Sequence, residues 1–428
     1  MCVREQQLLA PGIQSISQLS GIAIARGKGA VLEDIDGNRF LDFFAAMGVV
    51  SLGHGDRVLA QALSEQAELT SATSFTSAAR LRLCEQLADL TERAGFATLR
   101  RTQLYSSGAE AVESAIRLAR AHTKKFEVLS FWGGFHGKTA GVAGLCGSNF
   151  KIGLGPQLPG LHLAPYADCG RCPLGKEIKT CGLACVDFAE EVIAHQTTGQ
   201  VTAIVVEPIQ GTAGNIVPPK GWLRAIGELA HRHGALLIVD EMITGFGRTG
   251  TMFAAQGEVV PDILTFGKGV ANGYPVSGLI TRDDIVADAE PWSRPSFSSS
   301  SFGGSPLAAA AASAVVAEIV ARKLDEHAAS LERTLLDGLH RLAEKYSFVA
   351  QVRGRGLLAG FDLEKQGALA QRQACEKLFF ACLRRGLLLL AYTPRVRIQP
   401  PLCISEAELC EGLLLLDEAL DEVAGEFA

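Results

Sequence analysis

The chain has 428 residues, of which 48% are hydrophobic and 20% charged, with 46 glycines and a formal net charge of −6. That length exceeds one small core, so two domains, or one large domain with a satellite, are expected. The acidic balance leaves no electrostatic footprint for nucleic acid, no apolar run is long enough to span a bilayer, and Met1–Gln6 lacks the apolar core of a secretion signal, which points to a cytoplasmic protein with mostly free thiols among its 11 cysteines.

Residues 1–30 read as an arm that packs on something else. Val31–Phe43 alternates apolar and polar residues around Asp36-Gly37-Asn38, a hairpin pattern. Gly48–Gly55 reads as a loop carrying His54, and a lone histidine there is more often structural than catalytic. Helical spacing fills 56–94 until Gly95 breaks it. Thr102–Tyr105 predicts a short strand, followed by a Ser107-Gly108 turn and a helix. The helix N-terminus offers unpaired N–H groups to a phosphate, or is simply capped by serine. Val128–Phe131 predicts the next strand, running into Trp132-Gly133-Gly134-Phe135-His136-Gly137-Lys138. An aromatic pair among glycines either lies flat over a ring or is buried in a turn. Residues 153–175 are Gly/Pro-rich and read as irregular.

Val201–Glu207 and Ala235–Asp240 are continuous apolar runs that end in an acid, with a helical pattern at Trp222–His233 between them. Such unalternated strands predict a parallel sheet covered on both faces, with polar groups at the strand ends facing a ligand crevice. Pro261–Phe266 and Val276–Ile280 flank Gly267-Lys268-Gly269. A lysine between two glycines lets backbone crowd a ligand while only the ammonium arm is long. An acid ending a buried strand can reach a cationic ring nitrogen. Lys268 and Asp240 together suggest a Schiff base to an aldehyde cofactor with a carboxylate behind its ring. A short serine-rich loop, 293–306, precedes the helix Leu307–Val320. From Leu324 the chain turns to a smaller α+β unit, built together with the N-terminal hairpin: a long amphipathic helix, strands near Val352–Phe361, Leu387–Leu390 and Arg397–Ile398, and helices at Ala374–Arg385 and Glu406–Glu422.

These stretches, with Gly53-His54, Ser107–Ala111, Glu207-Pro208-Ile209-Gln210-Gly211, Gly247-Arg248-Thr249-Gly250, Phe302-Gly303-Gly304, Arg353-Gly354 and Pro400-Pro401-Leu402, make the chain resemble a class III aminotransferase over nearly its whole length. The resemblance implies an α/β fold, the fold type I of pyridoxal-phosphate enzymes, with a large domain around a mostly parallel sheet and a smaller α+β domain. The division implied is an arm and hairpin at 1–60, a cofactor-binding domain at 61–320 and a C-terminal domain at 321–428. By the same resemblance Lys268 is the Schiff-base lysine and proton shuttle, and Asp240 keeps the pyridine nitrogen protonated. Phe135, followed by His136, and Met242 flank the ring, while Ser107, Gly108 and Ala109 hold the phosphate. Ser301 reaches the phosphate of a partner subunit, which implies a homodimer or a dimer of dimers. Arg397 binds a substrate carboxylate, Glu207 pairs with that arginine when no α-carboxylate is present, and Met47 lines the substrate pocket. An ω-amino donor and a keto acid, 2-oxoglutarate or pyruvate, would be used in turn. Ile243 stands where many relatives carry a glutamine toward the cofactor's phenolic oxygen, which leaves pyruvate open as acceptor. Racemases, aminomutases and decarboxylases of the same fold share Lys268, Asp240 and the phosphate loop, and form the alternative.

Cys169, Cys172, Cys181 and Cys185 are spaced Cys-x2-Cys-x8-Cys-x3-Cys. Four thiols so spaced can hold zinc or an iron–sulfur cluster in a structural role, or stay free.

Overall fold

The computed structural model describes residues 1–427. Its centre is a seven-stranded sheet in the spatial order Arg101–Tyr105, Ser277–Thr281, Ile263–Phe266, Leu236–Asp240, Val201–Val206, Glu127–Phe131 and Leu161–Ala164. The last five run parallel, and Ser277–Thr281 is antiparallel to both its neighbours. Every residue of Val201–Val206 and Leu236–Asp240 is buried, as unalternated apolar strands require when helices cover both faces. The register pairs Val206 with Val239 and Asp240 with Thr265. Because the parallel strands all end on one side, that edge of the sheet gathers the Phe135-His136 turn, Glu207, Asp240 and Lys268.

Two smaller sheets complete the fold. Ile24–Lys28, Val31–Asp34 and Arg39–Asp42 form an antiparallel set that Leu387–Leu388 joins in parallel, so N- and C-terminal segments share one sheet. The hairpin turn is tied by Asp34 Oδ1, which accepts the N–H groups of Asp36 and Asn38 at 2.9 Å. Val349–Arg355, Leu358–Leu363 and Arg395–Ile398 form the third sheet. Among the described residues no helix is long and apolar enough to cross a membrane.

Three segments differ from expectation. The Gly/Pro-rich stretch holds an edge strand, Leu161–Ala164, too short to announce itself beside so many turn residues. Residues 56–94 form two helices, Arg57–Leu69 capped by Asp56 and Ala78–Arg93 capped by Ser77. Ahead of the expected Gly48 loop, Ala45, Ala46, Met47 and Gly48 have φ of 43, 50, 66 and 74°, a single left-handed turn. Left-handed backbone costs non-glycine residues roughly 1–2 kcal/mol each. Asp42 holds the turn: its Oδ1 accepts the N–H groups of Phe44 and Ala45 at 2.8 Å, and its Oδ2 lies 2.7 Å from His54 Nε2. His54 thus braces this turn.

Candidate active site

A cavity of about 300 Å³ opens at that edge of the central sheet, lined among others by Lys268, Asp240, Phe135, Gly108, Met242 and Tyr274. Lys268 begins the short helix Lys268–Ala271 with φ of 46°. Its flanking glycines are dictated by close approach. A Cβ on Gly267 would lie 2.6 Å from Met242 Sδ, and one on Gly269 2.6 Å from Ser51 Oγ. Enclosure lowers the Lys268 ammonium below a lysine's ordinary value, against the pull of Asp240 and Glu207, and the positive charge of Arg397 adds to the lowering.

Asp240 is buried and hydrogen-bonded through both oxygens. Its Oδ1 accepts the Met242 N–H at 3.1 Å and the Thr265 hydroxyl at 3.2 Å, and its Oδ2 is 2.8 Å from His136 Nδ1. Thr265 and Asp240 meet because they are register partners on adjacent parallel strands. His136 comes from the turn after Glu127–Phe131, and its backbone N–H is received by the buried Cys146 thiol at 3.2 Å.

Glu207 turns toward backbone. Its Oε2 accepts the Phe135 N–H at 2.9 Å and its Oε1 the Gly211 N–H at 3.3 Å. Burial pushes its carboxyl up to about 7, with His136 and Lys268 opposing and Asp240 assisting. A carboxyl raised on folding contributes stability that is fully present below its unfolded value and is lost as pH rises through about 7. Glu207→Gln is therefore expected to flatten the fall in melting temperature of cofactor-free protein between pH 5 and 8. Parallel melts of the two proteins check this, and equal slopes would refute it. Arg397 lies on Arg395–Ile398, where burial lowers its guanidinium. No ion pair joins Arg397 to Glu207, or to any other acid, among the described residues.

The expected phosphate loop is a helix N-terminus. Ser107 Oγ caps Gly108–Thr123 by accepting the Glu110 N–H at 3.3 Å, and Glu110 Oε2 accepts the Ser106 N–H at 3.1 Å. Gly108 and Ala109 line the cavity in the first turn, where helical N–H groups lack internal partners. Of the two serines it is Ser106 that lines the cavity. Ser301 is exposed on the loop before Pro306–Ala321, outside this cavity. Met47 is half-buried on the left-handed turn, and Val49, two residues on, lines the cavity. Phe135 stands edge-on to Phe150, ring centroids 4.8 Å apart. Ile243 is buried with Ile209 and Leu358. Sequence reasoning missed Ser106, Val49 and Tyr274. Only Tyr274 had a signal, the Gly273-Tyr274-Pro275 turn six residues past Lys268.

The four clustered cysteines line one narrow cavity with Tyr166 and Pro219. None of the four is in a disulfide. Burial and the neighbouring sulfurs push Cys169 up to about 11, and Cys181 Sγ is turned to the Ile178 carbonyl at 3.7 Å. Among the described residues no group of three or more His, Cys, Asp or Glu side chains is arranged to hold a metal ion. The geometry thus gives the zinc or iron–sulfur alternative no support.

Comparison with known proteins agrees along the whole chain. Residues 14–420 match the family model described as aminotransferase class-III. A leucine/methionine racemase of Thermococcus litoralis is 33% identical over 94% of this chain and 91% of its own length. A 4-aminobutyrate aminotransferase of Mycobacterium leprae is likewise 33% identical, with the same coverage of 94% and 91%. An amine transaminase from an uncultivated Pseudomonas species, solved in its PLP-bound form, superposes with a TM-score of 0.89 at 28% identity, covering 97% of this chain and 98% of that one.

Proposed function

Because the chain belongs to the class III aminotransferases and is a pyridoxal-phosphate-dependent transaminase that moves an amino group to a keto acid, we propose that Lys268 and Asp240 are its catalytic residues and that its donor carries the amino group away from the carboxylate. The observation that carries this reading is convergence. A lysine, a buried carboxylate, an aromatic ring and a helix N-terminus meet in one cavity at the edge of a parallel sheet.

The donor set fits the cofactor. Gly108 and Ala109 supply N–H groups and the positive helix end for a phosphate, with Ser107 beside them. Asp240 would accept a hydrogen bond from the ring nitrogen and so keep it protonated, and Phe135 and Met242 would bound the ring. Bound there, pyridoxal phosphate supplies an electron sink that lets the substrate's amino-bearing carbon lose a proton. Lys268, less basic than an ordinary lysine, takes that proton at Nζ and returns it. His136 holds Asp240 in orientation from behind. Ser301 is exposed within one chain, which suits a hydroxyl given to the phosphate of a second copy. On this reading the enzyme is a homodimer or a dimer of dimers, and its mass in solution tests that. The same reading divides the chain near residues 60 and 320.

Arg397 receives the acceptor's carboxylate. It is half-buried, and its guanidinium has no acidic partner among the described residues. Glu207 and Met47 complete the substrate side, Glu207 neutralising Arg397 when the bound donor lacks an α-carboxylate. Arg397→Ala is expected to raise the KM for 2-oxoglutarate or pyruvate about 30-fold or more, the cost of removing one side of a buried charged pair. The donor half-reaction should stay near its original rate, and an unchanged acceptor KM would remove Arg397 from this role. The assay panel should also score racemisation, because the racemase of Thermococcus litoralis is as similar as the aminotransferase. The four clustered thiols take no part in this chemistry. Metal analysis of anaerobically prepared protein decides between zinc, iron and free cysteines there.

A further inference from the structure

Behind Asp240 lies a chain of hydrogen bonds whose direction can be worked out atom by atom. Ser130, on the strand Glu127–Phe131, is fully buried. Its Oγ is 3.0 Å from the Val205 carbonyl and 3.2 Å from His136 Nε2. A carbonyl only accepts, so the single hydroxyl hydrogen of Ser130 is committed to Val205. Toward His136 the Ser130 oxygen can then only accept, and Nε2 must carry a proton. On the other side of the ring, Nδ1 faces Asp240 Oδ2 at 2.8 Å. Two arrangements satisfy both contacts: an imidazolium donating to a carboxylate, or a neutral imidazole accepting from a protonated Asp240. The Met242 N–H and the Thr265 hydroxyl both donate to Asp240 Oδ1, which favours the carboxylate.

We propose that Ser130 is a positioning residue for the reaction: by accepting the Nε2 proton it fixes His136 as a donor from both ring nitrogens and presents Asp240 as a carboxylate to the cofactor's ring nitrogen. The proposal rests on the reading of Asp240 given above. The ionisable groups around the imidazole are Asp240 in front, Glu207 from the neighbouring strand, the Cys146 thiol under its backbone and, beyond Glu207, Lys268. Burial works against a charged His136, yet the hydrogen bond and charge of Asp240, with Glu207, outweigh it and raise the ring above a histidine's ordinary value. Without Ser130 the Nε2 proton has no acceptor, and a buried, unpaired charged donor is unfavourable. The ring then relaxes to a neutral form protonated on Nδ1 alone.

Nitrogen-15 NMR of histidine-labelled protein, with and without pyridoxal phosphate, reads this directly, the His136 signals being assigned by their loss in His136→Asn. The native protein is expected to show both His136 nitrogens protonated at pH 7. Ser130→Ala should lower the midpoint of this titration by about one to two pH units, the loss of one hydrogen bond to a charged group. The cofactor's visible absorbance should acquire a pH dependence with the same midpoint, and Ser130→Thr should restore the native pattern. A bare Nε2 in the native protein overturns the proposal whether or not the alanine variant folds. Unchanged His136 titration in Ser130→Ala overturns it as well, and so does altered titration with no response in the absorbance, which would detach Asp240 from the ring. Failure of the underlying reading would look different: Lys268→Ala would keep its activity while the cofactor-free NMR pattern stayed intact.

Discussion

Lys268→Ala is expected to lower transamination by about 10⁴-fold or more, because on the proposed reading one side chain serves both as covalent anchor and as proton carrier, and positioned proton transfer alone contributes up to about 10⁴. The variant should also lose the visible absorbance of a lysine-bound cofactor. Loss of fold would mimic loss of activity, and the enclosed ammonium separates the two. A lysine whose folded value lies below its unfolded one destabilises the native state wherever the unfolded chain still holds the proton. Removing it should leave the melting temperature of cofactor-free protein unchanged or higher near pH 7. A Lys268→Ala protein that melts normally and still transaminates would end the assignment.

Asp240→Ala comes next in size. The change strips His136 of its carboxylate contact at 2.8 Å and, on the proposed reading, takes the counter-charge from the ring nitrogen. Breaking a buried, hydrogen-bonded charge pair costs about 3–5 kcal/mol, which corresponds to roughly two to four orders of magnitude in rate when the pair acts on the transition state. The loss should fall on both half-reactions alike, unlike that of Arg397→Ala, which is confined to the acceptor. Cofactor affinity measured through the phosphate should weaken far less, since Gly108 and Ala109 are untouched. A loss confined to one half-reaction would mean that Asp240 serves substrate and not the ring.

The proposed catalytic pair stood out in the sequence because its signals are local. An apolar run ending in Asp240 and a lysine between two glycines state their chemistry within a few residues. The strands that carry them were legible for the same reason, since continuous burial writes itself as continuous hydrophobicity. The partners of those residues were not. Ser130 is six positions from His136 and 75 from Val205, and only the sheet brings the three together. Ser106 and Ser107 are indistinguishable by type. The structure separates them because one hydroxyl caps the helix and the other residue faces the cavity. The edge strand Leu161–Ala164 exists because Glu127–Phe131 offers it a parallel partner, a property of the neighbour more than of its own four residues.

The left-handed turn at Ala45–Gly48 limits how the substrate specificity of this enzyme can drift or be engineered. Met47 stands at φ of 66°, and Val49, which lines the cavity, leaves the same turn. Valine, isoleucine or threonine at positions 45–47 would meet a backbone that β-branched residues scarcely tolerate, whereas asparagine or glycine would relax it. The repertoire of the turn that leads into Val49 is therefore filtered by conformation before any substrate is encountered. A library randomised here should return few β-branched survivors even when the selected amine has room for them, and variation in donor choice should accumulate at Val49 and Tyr274, where the chain is free of that constraint.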